Sequence, residues 1–185
     1  MRLTRKLAIC SLGFAICLLA ATAAAQPAAS DPARDPRIRT TDRRLRQHLE
    51  EGIRRSLTFR SLVERLNQSD TVVYLQPDAR PLPGVDGRLT FVAAHAGLRY
   101  VLVRIDASMS RCRQIAILGH ELQHAVEIAD TPSIVDSASL ALAYAQFGYA
   151  NQLTARSHAS FDTKAAIRAG RDVMTELLGA GMSAD

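Results

Sequence analysis

Residues 110–129, SRCRQIAILGHELQHAVEIA, decide the fold of this chain. From Ile115 onward nearly every residue outside the central hexapeptide GHELQH is apolar. A helix that is apolar around most of its circumference is typical of a core position rather than of a solvated surface. We therefore expect a central, buried helix over these residues.

The hexapeptide places three chemically active side chains on that helix. His120 and His124 are four residues apart, so they lie one turn above each other on the same face and can converge on one tetrahedral zinc ion. Glu121 is rotated from His120 by about 100°, which sets it beside the metal, where it can take a proton from zinc-activated water. A polar patch on a surface helix is disfavoured, because imidazoles and carboxylates in so apolar a helix need partners.

The stretch GHELQHAVEIA, preceded by the strand-like RYVLVRID and followed by two helical segments, resembles the zincin metallopeptidases, particularly their gluzincin branch. The resemblance implies a strand along a substrate cleft, zinc ligands at His120 and His124, a general base at Glu121, and an acidic third ligand from a later helix. The longer metzincin pattern is absent, since Glu127 and Asp130 stand where its glycine and third histidine would be.

Two acidic residues compete for the third position. Asp162 opens the last helical segment, where the resemblance places an acidic ligand, although gluzincins use glutamate; its ordinary interpretation is a helix N-cap. Glu127 shares the helical face of both histidines, and its ordinary interpretation is a group that orients His124. We favour Asp162, because a ligand from a separate helix encloses an ion better, and the alternative stays open.

The flanking sequence predicts an α+β, zincin-like fold for residues 42–185. An N-terminal helical segment covers residues 45–66 as one bent helix or two. A small sheet of about three strands follows at residues 71–75, 88–94 and 98–106, with a hairpin at residues 95–97. Three C-terminal helices surround the metal: the central one, a second from Thr131-Pro132 to about Gly148, and a third from residues 160–162 to about Gly179.

Five further residues, in these helices and in the loop before the last one, carry narrower expectations. Gly170 is expected to let the last helix approach the central one, and Glu176 is expected to be a solvated charge. Tyr144 and Tyr149, together with His158, are candidate oxyanion donors.

The N-terminus predicts export. Residues 1–25 combine Arg2, Arg5 and Lys6 with an apolar run and end in Ala23-Ala24-Ala25, the layout of a cleaved signal peptide. Residues 26–41 are rich in Pro, Ala, Asp and Arg and are interpreted as a flexible leader. The formal net charge of +5 comes largely from the signal segment, so the composition excludes a nucleic-acid footprint. We expect a periplasmic or secreted protein without stable membrane insertion.

The resulting functional hypothesis is zinc-dependent hydrolysis of peptide bonds in a peptide or protein substrate. One alternative is a non-catalytic metal-binding or interaction domain on a zincin scaffold. Another is an amide hydrolase acting on the cell envelope.

Overall fold

The structure, a computed structural model, describes residues 36–147, 149–150 and 161–179. The five helices of this part are α1 (Arg43–Arg55), α2 (Leu57–Asn67), α3 (Arg111–Ala129), α4 (Ser137–Phe147) and α5 (Lys164–Gly179). Its strands are β1 (Ile38–Arg39), β2 (Thr71–Asp78), β3 (Gly87–His95), β4 (Leu98–Asp106), β5 (Tyr149–Ala150) and β6 (Phe161–Asp162). The predicted α+β class is confirmed. No helix of this described part is both long and apolar enough to cross a membrane.

A four-stranded mixed sheet with the order β1-β2-β4-β3 forms one layer of the fold. β2 pairs in parallel with β1 and β4, whereas β3 is antiparallel to β4 and forms the edge. The predicted alternation along β4 is confirmed: Val101, Val103 and Ile105 are fully buried, and the intervening residues are only half-buried. Strict alternation arises because successive side chains point to opposite faces of a strand, so one face of β4 contributes to the core.

The predicted N-terminal helical segment consists of two helices that meet at Ser56. The backbone N–H of Ser56 donates to the carbonyl of Gly52 at the end of α1. The hydroxyl oxygen of Ser56 accepts from the N–H of Phe59 at the start of α2. A Cβ on Gly52 would lie 2.7 Å from the Phe59 ring. The turn between the helices therefore depends on a residue without a side chain at position 52.

α3 is the central helix, with the bounds that its apolar pattern predicted. Its fully buried side chains include Ile115, Leu118 and Leu122. Its last turn is held by Arg99 of β4, whose guanidinium donates to the carbonyl oxygens of Ile128, Ala129, Thr131 and Ile134. Carbonyls at a helix C-terminus have no partner within the helix. The carbonyls of Ile128 and Thr131 accept from the backbone N–H groups of Thr131 and Ile134, and Arg99 adds a charged donor to both of them and to the carbonyl of Ala129.

The sheet has one strand more than predicted, because residues 38–39 form β1 within the stretch interpreted as a leader. Ile38 is buried in the core, and the N–H of Val73 donates to the carbonyl of Arg37 at 2.8 Å. Two ladder residues are too few to produce a sequence period. The signal segment, residues 1–25, and the leader up to residue 35 lie outside the described residues.

Two helix starts differ from those predicted. α4 begins at Ser137 rather than at Thr131-Pro132, and Asp136 accepts from the N–H of Ser139 at 2.7 Å in the manner of an N-cap. Thr131 instead follows the end of α3, and its hydroxyl donates to the carbonyl of Glu127 in the last turn of that helix. α5 begins at Lys164, and its cap is Thr163, whose Oγ1 accepts from the N–H of Ala166.

Glu176 is not the solvated charge that was expected. It accepts hydrogen bonds from the Ser56 hydroxyl, from the Thr58 hydroxyl at 2.7 Å and from the Thr58 N–H at 3.1 Å. These donors lie at the N-terminus of α2, where a carboxylate is favoured by the helix dipole. Their hydrogen bonds outweigh the effect of burial and hold the pKa of Glu176 below its usual value.

Candidate metal centre

The two histidines of α3 face the same space. The ring centroids of His120 and His124 are 4.9 Å apart and the rings are nearly perpendicular. His124 is buried, and His120 is half-buried. Their spacing of one helical turn produces this arrangement directly.

Asp162, in β6, completes a group of three donors with these histidines. Its Oδ1 lies 3.4 Å from Nε2 of His120 and 3.7 Å from Nε2 of His124. One donor atom from each of the three residues lies within 4.8 Å of the other two. Ligands of a tetrahedral ion with bonds of 2.0–2.1 Å are separated by about 3.3 Å, so the carboxylate is close to the separation that a shared ion requires.

Glu127 contacts the other nitrogen of His124. Its Oε2 lies 2.9 Å from Nδ1 of His124 and accepts from the Tyr144 hydroxyl at 2.9 Å, and its Oε1 accepts from the Thr163 hydroxyl at 2.6 Å. Both carboxylate oxygens thus have partners within the protein. The structure places the two acidic candidates on opposite sides of the His124 ring, Asp162 near Nε2 and Glu127 at Nδ1.

The electrostatics of the site show an excess of carboxylates. Burial by itself would lower the pKa of His124, but hydrogen bonds to Asp162 and Glu127 outweigh it and raise the pKa to about 9. Burial would raise the pKa values of those two acids, and their contacts with the histidines lower them instead. Burial and the neighbouring His124 lower the pKa of His120. The cluster therefore favours positive charge close to His124.

Glu121 is a buried carboxylate next to this cluster. It is 5% exposed, and burial is the main reason that its pKa rises to about 7. The first residue of β3, Gly87, lies against it, since a Cβ at that position would be 2.8 Å from Oε1 of Glu121. A carboxyl group with a pKa near neutrality can both accept and return a proton under ordinary conditions.

Gly170 allows the close approach of α5 to α3 that was expected. A Cβ at position 170 would lie 3.2 Å from Cβ of His120 and 3.3 Å from the carbonyl oxygen of Ala116. These separations are tighter than ordinary van der Waals contact. The short distance between the helices fixes the start of α5, and with it Asp162, close to the two rings.

Sequence reasoning did not recognise Thr163 and gave Tyr144 a different role. Tyr144, considered as an oxyanion donor, is buried with its hydroxyl 3.0 Å from Nδ1 of His124 and bonded to Glu127. Burial and the carboxylate of Glu127 raise its pKa, so the phenol stays protonated. Thr163 could have been found as a helix cap from its place before an amphipathic segment. Neither His158 nor the Tyr149 side chain is among the described residues.

A groove of about 350 Å³ opens beside His120. Its walls between α3 and α5 are mostly apolar, and Arg113, Asp86 and Arg171 also line it. The apolar wall residues are Ala116, Ile117, Ile167 and Met174. A mostly apolar groove with a few polar groups is the usual form of a ligand site.

Comparisons with known proteins found no relative of this chain. No family model matches the chain, and no curated protein and no solved structure matches it. The resemblance to zincins therefore stays a prediction from the motif and its flanking sequence.

Proposed function

We propose that this chain is an exported zinc-dependent hydrolase of peptide bonds, with His120, His124 and Asp162 as the metal ligands. The observation that carries the proposal is the group of three donor atoms that lie within 4.8 Å of one another. These donors come from two different segments, so they would hold an ion from more than one side.

The donor set fits zinc. Two imidazole nitrogens and one carboxylate oxygen are typical of catalytic zinc, and three protein ligands leave a fourth position for water or substrate. The hydrogen bond between Glu127 and Nδ1 of His124 leaves Nε2 for the metal, as carboxylate partners of zinc-binding histidines commonly do. Zinc bound by such a set supplies a Lewis acid that polarises a carbonyl and acidifies water.

Glu121 is the general base and then the general acid of the proposed reaction. Its carboxylate accepts a proton from the attacking water and donates it to the leaving amine. Burial, which raises its pKa to about 7, suits both steps at neutral pH. Its position one residue after His120 keeps it next to the ligands without making it one of them.

The edge strand supports a peptide as substrate. Among the described strands β3 pairs only with β4, so its other edge has backbone groups available to an extended peptide. Gly87 at the start of β3 lies against Glu121, and the apolar groove beside His120 offers room for a side chain of the substrate.

Export is part of the proposal on sequence grounds. Residues 1–25 have the order of basic, apolar and small residues that typifies a cleaved signal peptide. A periplasmic or secreted location would expose the enzyme to peptides and to amides of the cell envelope, which the same chemistry would hydrolyse.

The test of the function compares the full-length protein with Glu121→Gln on a mixed peptide pool. The variant is nearly isosteric and should retain zinc, but it should lose about 10²- to 10⁴-fold in turnover because an amide cannot accept the proton. Glu50→Gln, a change at an exposed carboxylate of α1, is the matched control and should cleave as the wild type does.

Two results would contradict the proposed mechanism. Equal cleavage by wild type and Glu121→Gln would assign the activity to other groups. Zinc binding without cleavage of any peptide or cell-envelope amide would identify a non-catalytic metal-binding domain.

A further inference from the structure

A second pocket, separate from the metal centre, lies where α1 meets the start of α3. Its volume is about 310 Å³. None of its lining residues belongs to the metal centre. They are Arg44, Gln47, His48, Met109, Arg111 and Gln114.

Positive charge predominates around this pocket. The buried carboxylate of Glu51 accepts from Arg55 at 2.7 Å and also pairs with Arg111. Arg44 is exposed, and its guanidinium makes one long contact of 3.4 Å with the carbonyl of Ala107. Arg55 and Arg111 thus share the single buried carboxylate of Glu51, and Arg44 and Asp42 both act on the His48 ring that lines the pocket. The three arginines outnumber the two acids.

The N-terminus of α3 adds to this positive charge. Its N-cap, Ser110, makes no side-chain hydrogen bond to the helix, and the first turn contains no acidic residue. Arg111 and Arg113 occupy that turn instead, although a helix N-terminus favours negative groups. The helix itself thus supplies no acid at its positive end, and the carboxylates that lie there, Glu51 and Asp86, pair with Arg111 and Arg113.

His48 provides an independent sign of a missing ligand. The residue is 4% exposed, and its Nδ1 is buried without a hydrogen-bond partner among the described residues. Burial, followed by the charge of Arg111, lowers its pKa, so the ring is neutral at neutral pH. Buried polar atoms in native proteins nearly always have partners, and this unpaired nitrogen belongs to a residue that lines the pocket.

We propose that this pocket binds a phosphate group, either as the free ion or as part of a small phosphomonoester. Arg44 and Arg111 supply guanidinium donors, which bind phosphate oxygens in pairs, and the start of α3 supplies a helix N-terminus that attracts anions. The pocket is larger than a bare phosphate, so it has room for a few further atoms. This site does not depend on the proposed hydrolase activity.

The experiment is a calorimetric titration of the full-length, metal-depleted protein at constant ionic strength. The probes are inorganic phosphate and glycerol 3-phosphate, with chloride as the reference anion. Both phosphates should bind saturably, and chloride should not. Tighter binding of glycerol 3-phosphate would identify the phosphomonoester as the ligand and tighter binding of phosphate the free ion, and both results support the proposal.

Arg44→Gln is the decisive variant, because Arg44 is exposed and its loss leaves the core intact. It should weaken phosphate binding about tenfold or more, the size expected for one hydrogen bond to a charged group. Arg43→Gln, at an exposed neighbour that does not line the pocket, is the matched control and should bind as the wild type does. Equal affinities for these two variants, or no saturable binding by the wild type, would overturn the proposal.

A second readout distinguishes the pocket from the metal centre. Phosphate should shift the imidazole resonances of His48 and raise its pKa, since a nearby anion stabilises the charged ring. The zinc affinity of Arg44→Gln should remain that of the wild type. Phosphate shifts confined to His120 and His124 would overturn the assignment to this pocket.

Discussion

The two halves of α3 lie among side chains of opposite charge. Around its C-terminal half lie the carboxylates of Glu121, Glu127 and Asp162. Arginines occupy its first turn and the pocket beside it. A helix dipole favours acids at the N-terminus and bases at the C-terminus. The dipole of α3 therefore does not account for either cluster, and each is suited to a ligand of opposite charge.

Two contacts of the helical framework follow the dipole rule. Glu176 lies at the N-terminus of α2, and Arg99 lies at the C-terminus of α3. The reversed clusters therefore stand out within the same molecule, and four changes test the comparison.

The largest expected effect is the loss of zinc when one of the three donors is removed. Structural zinc sites with four ligands bind with about 10–16 kcal/mol, so one ligand is worth roughly 3 kcal/mol, or about a hundredfold in affinity. His120→Ala, His124→Ala and Asp162→Ala should each lose at least this much in a zinc titration. His95→Ala, at the exposed hairpin, is the control, and full zinc retention by either α3 histidine variant would break the comparison.

Removal of Arg99 should cost the most in stability. Arg99→Met removes the guanidinium that donates to the last carbonyls of α3 and to the carboxylate of Asp70, and the loss of one partner from a buried charged network costs about 3 kcal/mol. Urea unfolding measures the difference. Arg104→Met, on the half-buried face of the same strand, is the matched control. A near-neutral Arg99→Met would show that the carbonyls are satisfied in another way.

Glu127→Ala should have a smaller effect on zinc than Asp162→Ala. In Glu127→Ala the ring of His124 would lose its orientation and its negative partner at Nδ1. The loss of a residue that is hydrogen-bonded to a metal ligand commonly lowers metal affinity tenfold to hundredfold. The comparison of the two variants in one zinc titration sharpens the assignment of ligands. The reverse order would make Glu127 the ligand.

The smallest expected effect is that of Glu176→Gln, and it should depend on pH. The folded-state pKa of Glu176 is lowered, so its contribution is complete above the ordinary glutamate pKa of about 4.3 and is lost as pH falls through the lower folded value. At pH 7 the variant should be less stable by about 1 kcal/mol, the usual value of a helix cap. Unfolding at pH 7 and at pH 3 measures this, and an equal difference at both would contradict it.

Most secondary structure could be predicted because its signals are local. Four-residue apolar spacing and β-branched alternation located α1, α2, α3 and all three longer strands, since backbone hydrogen bonding imposes those periods on the side chains. β1 and the starts of α4 and α5 could not be predicted as well. Two paired residues have no period, and several capping residues competed within a few positions.

The sequence by itself determined the helix that bears His120, Glu121 and His124, because one helical turn separates the two rings wherever that helix packs. Only the tertiary structure decided which carboxylate lies near which ring nitrogen. Asp162 is 38 positions from His124 in the chain, and it reaches the Nε2 side because α5 packs closely on α3 at Gly170. The same reason applies to the arginine pocket. Its side chains come mainly from α1 and α3. These helices are far apart in the chain, so the packing of the core, and not a local period, sets the distance between their side chains.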